Sequence, residues 1–333
     1  MFKKSVTKIL LLVLLVALVA GCTAQGNGDD EGAGDAGGTK YISIATGGTA
    51  GTYYPLGSAL SQIFNDNIDG VTANVESTGA SVENIELIAK GDADIAFIQN
   101  DITYYAAEGI EVFEGKDKVE NLRGLAMVYP ELVQIVATKD SGIESVEDLK
   151  GKKVAIGAPG SGTEANARQI LAIHGLDYDD LGKADFLSFD EAAAQLQDKQ
   201  IDAAFITAGI PTAAITEVSQ NTDIVVVSVS EDKINEAIEE YPYYIGIEIP
   251  KGTYEGQEAD ISTIAVMAML VVPEDLDEDL AYNMTKTIFE QRDDIIATHE
   301  RGKDIQLETA LTGMPIEVHP GAMKYYEEQG ISQ

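Results

Sequence analysis

Cysteine and tryptophan are almost missing from this chain of 333 residues, which has a single cysteine, Cys22, and no tryptophan. One cysteine cannot form an internal disulfide, so the fold must be held together by its core. Hydrophobic residues make up 45% of the sequence. At this length, that is enough for one large core or two medium ones.

Basic side chains are also scarce, since 22 Lys and Arg stand against 56 Asp and Glu and give a formal net charge of −34. Phosphate contacts need cationic side chains, so this balance argues against nucleic acid as a partner. Repulsion among so many carboxylates destabilises the compact state in dilute buffer and is screened by salt. We therefore expect a salty habitat.

The sequence lacks the usual catalytic and metal-binding motifs. Its three histidines, His174, His299 and His319, have no ligand spacing between them, and HExxH, CxxC and GxSxG do not occur. The loop Gly160 to Glu164 lacks the Gly-Lys-Ser/Thr ending of a nucleotide P-loop. These absences predict that the protein is not an enzyme and uses no metal or cofactor.

The one long apolar run, Ile9 to Ala20, is too short for a membrane-spanning helix but suits a secretion signal after Lys3, Lys4 and Lys8. Its end, Val-Ala-Gly-Cys22, resembles the lipobox of a bacterial lipoprotein. We predict a signal peptide over 1–21, lipidation of Cys22, and a disordered Gly/Asp-rich tether over 22–40. The alternative is an ordinary signal peptide followed by a chance cysteine. Either way, we expect an extracytoplasmic protein, which the lipid would hold at the outer face of the cell membrane or in the periplasm.

From Tyr41 onward, strand and helix patterns alternate, which predicts an α/β fold. The order strand, Gly-rich loop, helix appears twice, at 41–64 and 152–175, and each copy is followed by a helix and an apolar strand. The repetition favours two similar lobes, although any two α/β segments share some likeness. We predict lobe I over 41–135 and 230–333, lobe II over 136–229, and a hinged cleft between them. Residues 123–140 read as two strand-like runs, and 278–300 as one long helix.

Two Gly/Ser/Thr loops are the candidate binding elements. Gly48 and Thr49 precede a helix that begins near Tyr53, and residues 159–163 precede a helix from about Glu164. Such loops bring backbone N–H groups and hydroxyls close to a ligand, and a helix N-terminus favours a negative group. Each loop alone is equally well explained as a turn with a helix cap. Two loops at equivalent places favour a ligand shared between the lobes.

These segments together resemble the TAXI family of TRAP-transporter solute receptors. The likeness extends from YISIATGGTAGTYYPLGSALSQIF through GDADIAFIQND and GAPGSGTEANARQIL to HPGAMKYYEEQG, in order over nearly all of 41–330. It implies a type II periplasmic-binding-protein fold, two α/β lobes around a hinged cleft. The residues to which the resemblance assigns ligand binding are Gly48, Thr49, Tyr53, Thr78, Ser81, Gln99, Asn100, Gly160, Ser161, Gly162, Thr163 and Thr207.

The resemblance also implies a function, the capture of a small carboxylate such as glutamate, glutamine or a related dicarboxylate. The receptor would deliver it to a membrane permease driven by an ion gradient. Another group of TRAP receptors clamps the carboxylate with an arginine, for which Arg123 and Arg168 are the candidates here. Arg168 lies more than a helical turn past its loop, so we expect amides and hydroxyls to do this work. The alternative function is presentation of the ligand to a membrane sensor kinase.

Overall fold

A computed structural model describes residues 39–332. Within this range the chain forms ten β-strands and ten α-helices. The strands are β1 (Lys40–Ala45), β2 (Val71–Glu76), β3 (Ile95–Gln99), β4 (Leu122–Thr138), β5 (Lys153–Ala155), β6 (Lys183–Asp185), β7 (Ala203–Ala208), β8 (Ile224–Val227), β9 (Ile245–Ile249) and β10 (Ile261–Pro273). The helices are α1 (Tyr53–Asn67), α2 (Ser81–Lys90), α3 (Asn100–Glu108), α4 (Gly162–Ile173), α5 (Phe189–Gln197), α6 (Ala213–Asn221), α7 (Glu231–Glu240), α8 (Glu278–Glu290), α9 (Arg292–Thr298) and α10 (Pro320–Glu328).

The strands belong to one curled sheet in the order β2-β1-β3-β10-β4-β7-β5-β6, with β8 also paired to β4 and β9 to β10. At one end β1 pairs in parallel with β2 and β3, and at the other β5 pairs in parallel with β6 and β7. The long strands β4 and β10 lie antiparallel between these two groups. The predicted α/β fold with two lobes is confirmed, and β4 and β10 connect the lobes.

Apolar packing follows the same division. One pair of clusters forms around Ile44, Phe97 and the first half of β4. A second pair forms around Ile156, Phe205 and the second half of β4. Each part of the sheet is covered by helices on both faces, which explains why the inner parallel strands β3 and β7 are near-continuous apolar runs.

Glycine ends helix α2, because Gly91 adopts the left-handed conformation that terminates helices. Two expectations from the sequence were wrong. Residues 123–140 do not form two short runs but lie mostly within the single strand β4, whose Pro130 sits next to a register shift in β10 that disturbs the ladder. The long helix predicted over 278–300 is two helices that meet at Gln291, since Asp293 and Asp294 suit the first turn of a new helix.

The lobe boundaries stay a prediction. Ile234, Tyr244 and Ile264 pack with the second core, which favours a return crossing inside β10 rather than at residue 230. The signal peptide, Cys22 and nearly all of the tether lie outside the described residues, and Lys40, the last tether residue predicted, begins β1. Across 39–332, no helix combines the length and apolar character that a bilayer crossing requires.

Candidate functional site

A cavity lies between the two cores, beside the carboxyl ends of strands β3 and β7 and the middle of β4. Its volume is about 590 Å³ including the opening to solvent. The residues that line it are Gly47, Gly48, Gly51, Thr52, Tyr53, Thr78, Gly79, Ala80, Ser81, Gln99, Glu131, Ala158, Ser161, Gly162, Thr163, Ser188, Phe189, Thr207 and Ala208.

Four helices begin at this cavity. The first residues of α1, α2, α4 and α5 are Tyr53, Ser81, Gly162 and Phe189, and all four line it. The first N–H groups of a helix have no intrahelical acceptor, and the macrodipole adds a partial positive charge there. Such ends make the cavity favourable for an anionic group although no lysine, arginine or histidine lines it, with the α2 amides of Val82 and Glu83 already bound to the carbonyl of Gly160.

The start of α4 shows how the sequence builds one of these ends. Gly157 has φ of 100°, and a Cβ there would lie 2.8 Å from the amide N of Glu164, so this turn requires glycine. The Oγ of Ser161 then accepts a hydrogen bond from the same amide at 3.1 Å. The N–H groups of Gly162 and Thr163, the two residues before Glu164, have no acceptor among residues 39–332. They remain free to donate to a ligand.

Ala80, the residue just before α2, has a backbone conformation that favours glycine, with φ of 74° and ψ of −145°. Strain of this kind costs about 1–3 kcal/mol and persists only where neighbouring groups enforce it. Here the amide N of Ala80 donates to Thr78 Oγ1 at 3.1 Å, and its carbonyl accepts from the amide of Asn84 at 2.8 Å. The strained residue itself lines the cavity.

Glu131, on β4, is the buried carboxyl of the site. Its side chain is only 3% exposed, and its oxygens accept hydrogen bonds from the hydroxyls of Tyr53 at 2.7 Å and Tyr129 at 3.1 Å. Burial raises the pKa of Glu131 to about 8, against the lowering effect of the two hydroxyls, and the nearby carboxylate of Asp101 raises it further. Glu131 is the one carboxyl among the lining side chains.

Two other lining side chains present polar atoms with no partner. Gln99 is 2% exposed and Thr207 is 5% exposed, yet neither Gln99 Oε1 nor Thr207 Oγ1 finds a hydrogen-bond partner within the described residues. Buried polar atoms are normally satisfied, and leaving one unpaired costs about 1–3 kcal/mol. Both residues line the cavity, so a bound solute would supply the missing partners.

Gln99 also explains why position 162 is glycine. A Cβ at Gly162 would lie 1.4 Å from Gln99 Oε1, so any other residue there would have to displace this carboxamide. The carboxamide of Gln99, from β3, therefore rests directly on the first residue of α4. On its other side Gln99 Nε2 donates to Asn166 Oδ1 at 3.0 Å.

A buried polar network joins the two sides of the cleft behind the cavity. Asn166, on α4, donates through Nδ2 to Asp101 Oδ2 and to the hydroxyl of Tyr244, each at 2.9 Å. Burial raises the pKa of Asp101 to about 6, although its hydrogen bonds from Ile102 and Asn166 lower it. In front of this network the carbonyl of Gly160 accepts from the amides of Val82 and Glu83, at 3.0 and 3.3 Å. The structure therefore has its lobes in contact.

Nine of the twelve residues assigned to binding by resemblance line the cavity, and three do not. The nine are Gly48, Tyr53, Thr78, Ser81, Gln99, Ser161, Gly162, Thr163 and Thr207. Thr49 is exposed in its loop. Asn100 is buried, and its Oδ1 accepts from the amide of Met267 at 2.9 Å. Gly160 uses its carbonyl to bind the start of α2. A ligand contact by any of the twelve stays a prediction.

The arginine candidates lie outside the lining. Arg123 forms an ion pair with Glu274 at 2.5 Å, and Arg168 forms one with Glu111 at 3.2 Å. That amides and hydroxyls, rather than an arginine, face the ligand stays a prediction.

Glu131 and Phe189 are the main lining residues that sequence reasoning missed. Glu131 stands alone between apolar runs in MVYPELVQIV, and an unpaired acid in a buried strand is costly enough to mark a functional position. That signal was present. Phe189 follows Ser188, whose capping box with Glu191 starts α5. Nothing in this pattern indicates that the ring faces a cleft.

Comparison with known proteins identifies the family and the fold. The chain matches the NMT1-like family over residues 44–330. It is similar in structure to the periplasmic binding protein BugD, with a TM-score of 0.53, 14% identity, and coverage of 87% of this chain and 93% of that one. It is also similar to PhnD1 from Prochlorococcus marinus (MIT 9301) in complex with methylphosphonate, with a TM-score of 0.53, 11% identity, and coverage of 80% and 92%. At such low identity the likeness concerns the two-lobed fold alone.

Proposed function

The chain belongs to the NMT1-like family, and from this premise we propose that it is an extracytoplasmic solute-binding receptor, not an enzyme, that captures a small carboxylate. The observation that carries the proposal is the cavity between the lobes. Four helix N-termini meet there, and two buried polar atoms lack a partner. This is the arrangement expected for a site that holds a small polar anion by preorganised donors.

The carboxylate of the solute would bind the free amides of Gly162 and Thr163, with the hydroxyl of Ser81 from the facing lobe as a further donor. Neutral donors fixed by the fold need little reorganisation, and in a site closed to water each hydrogen bond to a charged group is worth about 1.5–3 kcal/mol. Glutamate, glutamine and related dicarboxylates fit this chemistry.

Binding would be coupled to closure of the lobes. The contacts of Gly160 with α2 and of Asn166 with Asp101 span the cleft and require the lobes to be together. A solute that touches both lobes binds the closed form more tightly and shifts the population toward it. The closed form is then the shape that a membrane partner recognises.

The partner in this proposal is the permease of a TRAP transporter of the TAXI group, powered by an ion gradient. A lipid on Cys22 would keep the receptor close to that permease, and the Gly/Asp-rich segment after it would supply reach. No nucleic acid is involved, because a chain with 56 acidic and 22 basic residues repels phosphate.

The direct test is thermal unfolding of the full chain in mild detergent and high salt, with a panel of solutes. The panel contains glutamate, glutamine, C4 and C5 dicarboxylates, other amino acids and sugar acids. A solute present at 100 times its dissociation constant adds about 2.7 kcal/mol of stability, which is readily detected. We expect the C4 and C5 carboxylates to stabilise the protein. If none of them raises the unfolding temperature, the carboxylate assignment is refuted.

The transport step needs its own test. Uptake of the stabilising solute is measured in proteoliposomes that contain the permease, with and without a sodium gradient. We expect uptake to require both the receptor and the gradient. Uptake that needs internal ATP instead would reject the TRAP assignment and leave solute binding intact.

A further inference from the structure

Glu131 is an acid without a cation. No lysine, arginine or histidine within residues 39–332 forms an ion pair with it, and its two recorded partners are neutral tyrosine hydroxyls. A carboxylate offers about four acceptor positions, so two hydroxyls leave half of them open. Without a positive partner, a buried acid in this condition keeps its proton and stays neutral, whereas a cation beside it would favour the charged form.

The sheet register places Glu131 on the same side of the sheet as the two unsatisfied acceptors, Gln99 Oε1 and Thr207 Oγ1. Tyr129 and Glu131 alternate onto one face of β4, as Phe97 and Gln99 do on β3. The ring of Tyr53 packs on both Phe97, at 5.3 Å between centroids, and Tyr129, at 6.4 Å, so these two faces are the same side of the sheet.

Thr207 lies on this side as well. It pairs with Val133, two residues along β4 from Glu131, which makes Thr207 a diagonal neighbour of Glu131. The cavity therefore brings together two acceptors without any donor, Gln99 Oε1 and Thr207 Oγ1, and the Glu131 carboxyl, whose two hydroxyl donors leave acceptor positions open. An ammonium group has three N–H donors and no acceptor.

We infer that Glu131 binds the ammonium group of the solute, with Gln99 and Thr207 as its other acceptors, so that the cavity selects zwitterionic amino acids over carboxylates that lack an amino group. This inference deepens the proposed function and depends on it. The helix N-termini would take the carboxylate and the acceptors on the sheet the ammonium, which matches the two charges of an amino acid. A plain dicarboxylate would place no cation beside Glu131.

The protonation of Glu131 supplies a signature that a merely structural acid would not give. With a pKa of about 8 the free carboxyl is mostly protonated at pH 7. An ammonium group beside it favours the ionised form and lowers that pKa, so binding of an amino acid should release close to one proton at pH 7. A des-amino analogue should release none.

The experiment measures affinity and proton release by calorimetry on the full chain in mild detergent. The probes are matched pairs, namely glutamate with glutarate, alanine with propionate and leucine with 4-methylpentanoate, each in two buffers of different ionisation enthalpy. For the pair that binds, we expect the amino acid to be preferred about 100-fold. In Glu131→Gln the preference should approach one and the proton release should vanish. The matched control Glu258→Gln removes an exposed acid outside the lining and should change neither quantity.

Each outcome decides a different question. Equal affinity within a binding pair, or an unchanged preference in Glu131→Gln, overturns the inference and leaves the receptor function standing. Failure of every probe to bind the wild-type chain rejects the proposed function and the inference with it. Should Glu131→Gln fail to fold, the wild-type chain decides by itself. Release of a proton with the amino acid alone supports the inference, and no release overturns it.

Discussion

The buried carboxyl of Glu131 should make the stability of this protein fall as the pH rises. In the unfolded chain the carboxyl has its ordinary pKa of 4.5, whereas burial raises it to about 8 in the fold. The folded state therefore holds the proton more tightly. Its stability is greatest below the unfolded pKa and is lost as pH rises from about 4.5 toward about 8. The perturbation that exposes this effect is Glu131→Gln, which keeps the shape and removes the charge.

The size of the effect follows from the two pKa values. Each unit of separation corresponds to about 1.4 kcal/mol, so the free energy of unfolding of the wild type should fall by about 2 kcal/mol relative to Glu131→Gln between pH 6 and pH 8. Asp101 also makes stability fall as the pH rises, but its pKa of about 6 confines most of this effect to lower pH. His299 and His319, whose pKa values burial lowers, act in the opposite direction below about pH 6.5. These three contributions occur in both proteins and cancel in the difference.

The assay is urea unfolding of both full chains without solute, at fixed high salt and at half-unit steps from pH 5 to pH 9. The slope of free energy against urea must agree between the two proteins, so that the midpoints report stability alone. We expect the two stability curves to separate steadily above pH 6 and to run parallel above about pH 8.5, past the folded pKa. Curves that stay parallel throughout would show that Glu131 does not titrate in this range and would refute the reasoning.

Two further predictions concern closure and charge. Gly162→Ala should weaken solute binding at least about tenfold with little loss of stability, because the new Cβ displaces Gln99 while alanine is well tolerated in a first helical turn. Calorimetry measures the affinity and urea unfolding measures the stability of this variant. An unchanged affinity would contradict the prediction. The unfolding temperature should also rise between 0.1 and 1 M NaCl, because the Debye length falls from about 10 to about 3 Å around a chain of net charge −34. A flat or falling curve in differential scanning calorimetry would contradict that.

Much of the fold was readable from local sequence because its signals are local. The alternation of β1, the glycine that ends α2 and the capping box that starts α5 all act within a few residues. The Gly/Ser/Thr loops likewise predicted where two helices, α1 and α4, begin. Sequence reasoning failed where a choice depended on distant partners. Whether β4 is one strand or two is settled by its pairing with β10, more than a hundred residues away.

The sequence by itself determined the composition and the order of local elements: an acidic chain with a single cysteine, an α/β alternation, and donor-rich loops at strand ends. The tertiary structure decided which polar groups share a site. Gln99 and Gly162 touch because β3 and α4 meet across the cleft, and Glu131 joins them because the long strand β4 runs from one lobe into the other. The desolvation that raises the pKa of Glu131 and the lost partners of Gln99 and Thr207 are properties of burial, which no local pattern encodes.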